Sequence, residues 1–263
     1  RVGILAATGL EWELCHHAIL LAGGIVVGLE PHDTAERIQW IARHSNIRYA
    51  VVGNDSLLGK LNVEEAAGYA LIVSLSDAES RRAPNVLTLK HLESESATTS
   101  AADLPALRAD APATIIYTSG TTGLPKGILY RHEQVVLAVT SILSAYPPMP
   151  PGARFVCWLP LSNLFQRIMN LAAMCCGGTI FLVPDPLRVT EALAHARPHV
   201  FIGVPRFYEK LRAGIDKELS RKPAVMGSIV RWSVQTGDRH AMRQRAGERP
   251  GIFLVIAHRI ADR

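Results

Sequence analysis

Aromatic residues are scarce: Phe, Trp and Tyr make up only 6% of the 263 residues. Alanine, leucine and valine dominate the apolar content instead, which suits helices layered on a sheet better than an all-β sandwich. Cysteine is rare too. The four present, Cys15, Cys157, Cys175 and Cys176, form no C-x-x-C pair. That excludes a disulfide framework and a thiolate zinc site, and leaves buried thiols in a reducing compartment as the expectation. The ten histidines show no H-E-x-x-H spacing, and only His195 and His199 stand four apart, with Pro198 between them, so none is expected to bind a metal. No dense Lys/Arg block interleaved with aromatics occurs, which argues against nucleic acid as a partner. No signal peptide is visible, and no apolar run reaches the roughly 20 residues that span a bilayer. The longest, Ala18 to Leu29, is interrupted by Gly23-Gly24. The protein is expected in the cytoplasm or at the periphery of a membrane.

What is present is a chain with 48% hydrophobic residues and a net charge of +5. That content suffices for one large domain or two small ones, and the mild positive excess suits anionic small molecules. No internal repeat is found. Short β-branched runs alternate with helical patterns. Strands are expected at Val2–Leu5, Ile25–Leu29, Tyr49–Val52 and Ala70–Ser74, with helices between them at Glu11–Ala22, after Thr34, and in a short stretch before Ala70. The first helix draws its apolar positions from Trp12, Leu14, Cys15, Ile19 and Ala22. Thr34 is expected to cap the second, whose stripe is Ile38, Ile41 and Ala42. This alternation predicts a parallel sheet covered by helices on both faces. Glu93 to Pro112 is rich in Ser, Thr, Ala, Asp and Pro and reads as an exposed connector. The alternation then resumes: strands at Gly127–Tyr130, Arg154–Trp158, Thr179–Val183 and His199–Val204, and helices at Glu133–Ala145, Leu164–Cys176, Val189–Ala196, Arg206–Leu219 and Ala224–Arg245.

The most informative stretch is Tyr117 to Gly127, YTSGTTGLPKG. An apolar strand, Thr114 to Tyr117, runs into it. Thr114, Thr118, Ser119, Thr121 and Thr122 supply hydroxyls, while Gly120, Gly123 and Gly127 let the backbone curl and approach a ligand closely. Lys126 adds one cation behind Pro125. Many short donors, an unobstructed backbone and a positive charge are what a polyphosphate requires. The common phosphate loop is excluded, because Gly127 follows the lysine where that motif has Ser or Thr. A plain flexible linker would not need the strand before it or the Pro-Lys-Gly at its end.

YTSGTTGLPKG resembles, at every position, the signature loop of the adenylate-forming (AMP-binding) superfamily, which includes acyl-CoA synthetases, luciferases and adenylation domains. The resemblance implies that Thr118, Ser119, Gly120, Thr121, Thr122, Gly123, Lys126 and Gly127 hold the β- and γ-phosphates of ATP. Lys126 is the implied catalytic cation and Thr118 the implied Mg2+ ligand. A second stretch, Trp158 to Arg167, resembles the family's Leu-Pro-x-x-His-aromatic motif, which long-chain synthetases extend with Glu-Arg. Here Asn163 stands at the histidine position and Gln166 at the glutamate position. Asn163, Leu164 and Phe165 are implied to lie against the acyl-adenylate. Gly203 to Lys210 resembles the Val-Pro-x-x-Tyr-Glu-Lys segment of long-chain acyl-CoA synthetases, which places Val204 and Pro205 in an acyl pocket. Glu11-Trp12 and Ala22 to Val27 also look like early segments of these enzymes.

The resemblance implies an α/β fold of layered, parallel-type sheets flanked by helices, with residues 1–263 a partial amino-terminal AMP-binding domain. The implied reaction is ATP-dependent activation of a long-chain fatty acid to acyl-adenylate and then acyl-CoA, with fatty acid, ATP and CoA as partners and Mg2+ as cofactor. The family's adenine-binding stretch, Tyr-Gly-x-Thr-Glu motif, ribose-binding Asp and late catalytic lysine do not occur before Arg263. Both ends are therefore expected to be cuts in a longer protein that carries a carboxyl-terminal domain. The fragment by itself is expected to be inactive. The alternative is a catalytically inactive remnant, or a nucleotide- or acyl-binding module without chemistry.

Overall fold

The computed structural model describes residues 1–62, 68–76, 85–95, 100, 104–118, 124–221, 224–248 and 251–261. The chain divides into two compact units, Arg1–Phe201 and Ile202–Arg263.

The first unit is built on a seven-stranded sheet. Its strands are β1 (Val2–Leu5), β2 (Val26–Leu29), β3 (Tyr49–Val52), β4 (Leu71–Ser74), β5 (Val86–Thr88), β6 (Pro112–Thr118) and β7 (Lys126–Arg131), in the order β5-β4-β3-β1-β2-β6-β7. All neighbours are parallel except β6 and β7. The connection from Thr118 to Lys126 is too short for a crossover, so those two strands pair as a hairpin. Helices α1 (Leu10–Leu21), α2 (Ala35–His44) and α3 (Asp55–Lys60) link the first four strands, and α4 (Leu89–Glu95) follows β5.

Successive strand residues enter opposite cores, as a pleat demands. Leu5, Val27 and Val52 pack with Ile38, Ile41 and Ala42 of α2 and with Leu57 and Leu58 of α3. Ile4, Val26 and Val51 pack with Trp12 of α1 and with Cys157 and Leu161 of a second layer. The expected stripe of α2 is buried, and Thr34 Oγ1 accepts from the Arg37 amide at 3.4 Å. The stripe expected for α1 is buried in part: Trp12 is in the core and Cys15 and Ile19 pack against it. Trp12, Glu13 and His16 face inward, whereas Leu14 is 59% exposed.

After β7, α5 (His132–Ala145) leads to that second layer. It holds β8 (Arg154–Cys157) and β9 (Thr179–Leu182), paired in parallel around α6 (Leu164–Cys175), and then α7 (Val189–Ala196). The strand expected at His199–Val204 is a single bridge from Phe155 to Val200. Beyond it the chain turns toward Pro205, with Val204 the extended N-cap of the next helix. The second unit contains α8 (Pro205–Ser220), α9 (Ala224–Arg245) and α10 (Ile252–Ala261). Among the described residues no helix is long and apolar enough to cross a membrane. Two other expectations need correction. The connector expected from Glu93 is helical as far as Glu95, because α4 closes β5 onto the sheet. Of the thiols expected to be buried, Cys157 is, whereas Cys175 is exposed at the last turn of α6.

The two layers meet closely at Gly28 of β2. A Cβ there would stand 2.7 Å from Ser162 Cα and 2.8 Å from the Ser162 carbonyl oxygen. Both obstacles are backbone and cannot rotate away. Gly28→Ala is expected to destabilise the chain by about 1–3 kcal/mol, read as a lower urea midpoint with an unchanged slope.

Candidate active site

The hairpin β6–β7 organises the site. Thr118 pairs with Lys126 and Tyr117 with Gly127, so the lysine stands across from the threonine at the mouth of the loop. Thr118 and Lys126 are both exposed. Ser119, Gly120, Thr121, Thr122 and Gly123 lie outside the described residues. Gly127 has a reason to be glycine that the sequence did not disclose. A Cβ there would meet the Tyr117 ring at 3.1 Å and Ile115 Cγ2 at 3.3 Å. The Tyr117 hydroxyl is 2.7 Å from His44 Nδ1, and Trp40 stacks on His44 and meets Tyr117 edge-on. This aromatic cluster fastens the strand before the loop to α2. Burial pushes the Tyr117 phenol up from its ordinary pKa.

Beside the hairpin, at the carboxyl ends of the adjacent parallel strands β2 and β6, lies a cleft of about 180 Å³. It is lined by Glu30, Asp33, Arg37, Tyr117, Ser162 and Asn163, among others. Such strand ends are where open α/β sheets hold ligands. The Ser162 hydroxyl donates to Glu30 at 2.7 Å, and Arg37 Nε donates to Asp33 at 2.9 Å. Asn163 is exposed at the N-cap of α6 and makes no side-chain capping bond. Leu164 is half-buried and Phe165 is 52% exposed. Val204 and Pro205 belong to the second unit, where they open α8. There Gly203 leaves room for the Tyr208 ring, which a Cβ would approach to 2.7 Å.

The turn that carries Asn163 is held from several sides. Thr8 Oγ1 donates to the Leu159 carbonyl at 3.4 Å and accepts from the Leu161 amide at 3.3 Å. Gln166, standing at the family's glutamate position, is fully buried. It accepts from the Leu159 amide at 3.2 Å and donates to Asn170 at 2.9 Å. Arg167, also fully buried, donates from Nη1 to Thr114 Oγ1 at 3.0 Å and lies over the Trp12 ring at 5.5 Å. Burial pulls its guanidinium down to about 10, so it remains charged at neutral pH. Thr114 in turn donates to the Val26 carbonyl at 2.8 Å. Asn170 donates to Glu13 and lies 3.3 Å from Cys157 Sγ, whose thiol burial pushes up to about 12. Burial would raise Glu13, but His16, His17 and Asn170 outweigh it and hold the carboxyl at about 2. Glu13, Gln166 and Asn170 were not legible as one network, because 157 residues separate its ends.

A helix-flanked sheet with a donor-rich loop at the carboxyl end of β6 is the architecture of the amino-terminal domains of adenylate-forming enzymes. The chain belongs to the AMP-binding enzyme family, which matches residues 1–247. A similar curated protein is the long-chain-fatty-acid–CoA ligase FadD15 of Mycobacterium bovis, 30% identical over 269 residues, covering 100% of this chain and 44% of that protein. The long-chain-fatty-acid–CoA ligase ACSBG2 of Mus musculus is 28% identical over 271 residues, covering 94% of this chain and 39% of its own length. The chain therefore spans less than half of these relatives. Among solved structures, ATP-bound MatB from Rhodopseudomonas palustris shares the fold, with a TM-score of 0.65 at 22% identity over 80% of this chain and 40% of that one.

The Arg167–Thr114 contact generates a test. Thr114→Val removes the hydroxyl that receives the guanidinium, leaving a buried charge with one partner fewer. A loss of about 1–3 kcal/mol is expected, measured by chemical denaturation.

Proposed function

We propose that the protein to which this chain belongs activates a long-chain fatty acid with ATP, giving acyl-adenylate and pyrophosphate, and then transfers the acyl group to CoA. Residues 1–263 are then part of its amino-terminal AMP-binding domain. The observation that carries this reading is the hairpin pairing of Thr118 with Lys126 across the mouth of YTSGTTGLPKG. It is supported by relatives named as long-chain-fatty-acid–CoA ligases.

The fatty carboxylate attacks the α-phosphorus, and the bond to the β-phosphate bridging oxygen breaks. Negative charge grows on the departing pyrophosphate. Thr118, Ser119, Thr121 and Thr122, with the amides of Gly120, Gly123 and Gly127, are assigned to its β/γ oxygens, and Lys126 to its charge. Pre-placed donors of this kind act because they need no reorganisation as charge develops. Mg2+ would supply further neutralisation when bound. The Thr118 hydroxyl fits it as a hard oxygen donor at an exposed strand end. Asn163, Leu164 and Phe165 line the approach of the acyl-adenylate, and Val204 and Pro205 are assigned to the acyl pocket. The CoA sulfur then attacks the acyl carbon and AMP leaves.

Asn163 favours a second reading. It stands where the family motif has histidine, and it makes no capping bond to hold it in place. On that reading the protein binds nucleotide or acyl ligand without completing the chemistry.

Fatty-acid-dependent ATP–pyrophosphate exchange by the product of the complete coding frame separates the two. Exchange is expected, and Lys126→Ala is expected to lower it by about 2–4 kcal/mol of transition-state stabilisation, roughly 30- to 900-fold. An unchanged rate would remove Lys126 from its role. Saturable ATP binding with no exchange, rescued by Asn163→His, would establish the second reading instead.

A further inference from the structure

Helix α1 buries two polar residues along with its apolar ones. Glu13 is 9% exposed and His16 3%, although Leu10, Leu14 and Leu21 on the same helix are all more than half exposed. Trp12 lies in the core, with Cys15, Ile19 and Leu20 packed against it, so the carboxylate and the imidazole enter an otherwise apolar layer. Glu13, His16 and His17 stand at i, i+3 and i+4 and so converge on one side. Glu13 Oε2 is 3.6 Å from His16 Nδ1 and 3.4 Å from His17 Nε2, and the three donor atoms lie within 4.8 Å of one another.

These contacts are long for hydrogen bonds. His16 Nδ1 and His17 Nε2 are both buried atoms with no hydrogen-bond partner. Two orphaned imidazole nitrogens aimed at one carboxylate oxygen are costly unless something sits between them. The spacing suits an ion: zinc bonded to nitrogen and oxygen at about 2.0–2.1 Å has tetrahedral ligand–ligand edges of about 3.3 Å. Two of the three edges already have nearly that length.

We propose that Glu13, His16 and His17 form a binding site for one divalent transition-metal ion of the zinc class. The donor set, two imidazoles and one carboxylate, is of the kind zinc takes. Asn170 donates to the other oxygen of Glu13, which fixes the carboxylate as an outer partner of a metal ligand does. The buried Arg167 cation close by opposes ions held by charge alone, such as Mg2+ or Ca2+, and leaves the site to metals that bond nitrogen. The bound ion would join α1, through Asn170 and Gln166, to the turn that carries Asn163. The site lies outside the YTSGTTGLPKG loop and does not depend on the ligase reading.

The test uses the whole 263-residue chain with His240→Ala and His258→Ala, because those two imidazoles have ring centroids 4.2 Å apart and form a competing pair. Co2+ titration is expected to give a tetrahedral visible spectrum that saturates at one equivalent and is displaced by Zn2+. Glu13→Gln and His17→Ala are expected to weaken binding at least tenfold, with far-UV circular dichroism confirming the fold. His17 is the milder site to change, as its side chain is 26% exposed. Absence of a one-equivalent signal, or an undiminished signal in both variants, overturns the proposal. Zinc X-ray absorption on the unmutated chain is the second measurement. Nitrogen and oxygen ligands at about 2.0–2.1 Å with an imidazole signature support the site, whereas a sulfur shell or a shell of water oxygens alone refutes it.

Discussion

A buried cation, the guanidinium of Arg167, sets how the two layers of the first unit fit together. A charge in a dry interior is tolerated only where donors and acceptors meet it, and moving it away from them is expensive. Arg167 is met by the Thr114 hydroxyl from β6, the Asn163 carbonyl from its own helix start and the face of Trp12 from α1. Those partners come from three separate parts of the chain. The register of α6 against β6 is therefore determined by polar geometry and not by shape alone. Because β6 runs directly into YTSGTTGLPKG and α6 begins at Asn163, the same contact sets the relation between the loop and the wall of the cleft.

Two close backbone approaches complete that relation. Gly28 lets the Ser162 backbone rest on β2, and Gly127 lets the Tyr117 ring lie close to β7. From the sequence, Gly127 reads as freedom for a phosphate-binding loop. In the fold it also leaves space for the Tyr117 ring, which bonds to His44 and so anchors the hairpin to α2. Gln166 changes meaning in a similar way. In the sequence it is a glutamine at the family's glutamate position; in the fold it is a fully buried link that receives the Leu159 amide and passes a hydrogen bond to Asn170. A neutral amide can both accept and donate there, whereas an ionised glutamate could only accept.

The buried Glu13 of α1 belongs to this network. Asn170 bonds to Glu13 and Gln166 bonds to Asn170, while the neighbouring Arg167 bonds to Thr114. The proposed metal site would therefore sit at the end of a chain of hydrogen bonds that reaches the turn at Leu159.

Local chemistry alone determined much of this protein. Continuous apolar runs such as Ala50–Val52 are buried on both faces in a covered parallel sheet, and that is where they lie. Thr34 had to cap α2 because its hydroxyl reaches only the amide three residues on. The density of hydroxyls, glycines and one lysine between Tyr117 and Gly127 marked the loop before any fold was known. What only the tertiary structure decided was anything that depends on a distant partner. Glu13 and His16 are buried beside Trp12 where Asn170 and Arg167, more than 150 positions away, meet α1, and helical spacing gave no sign of it. The antiparallel pairing of β7 followed from the shortness of one connection, and His199–Val204 failed as a strand because only Val200 found a partner. Spacing along a chain records local geometry. It carries no record of which remote hydrogen-bond donor will arrive to make a buried carboxylate tolerable.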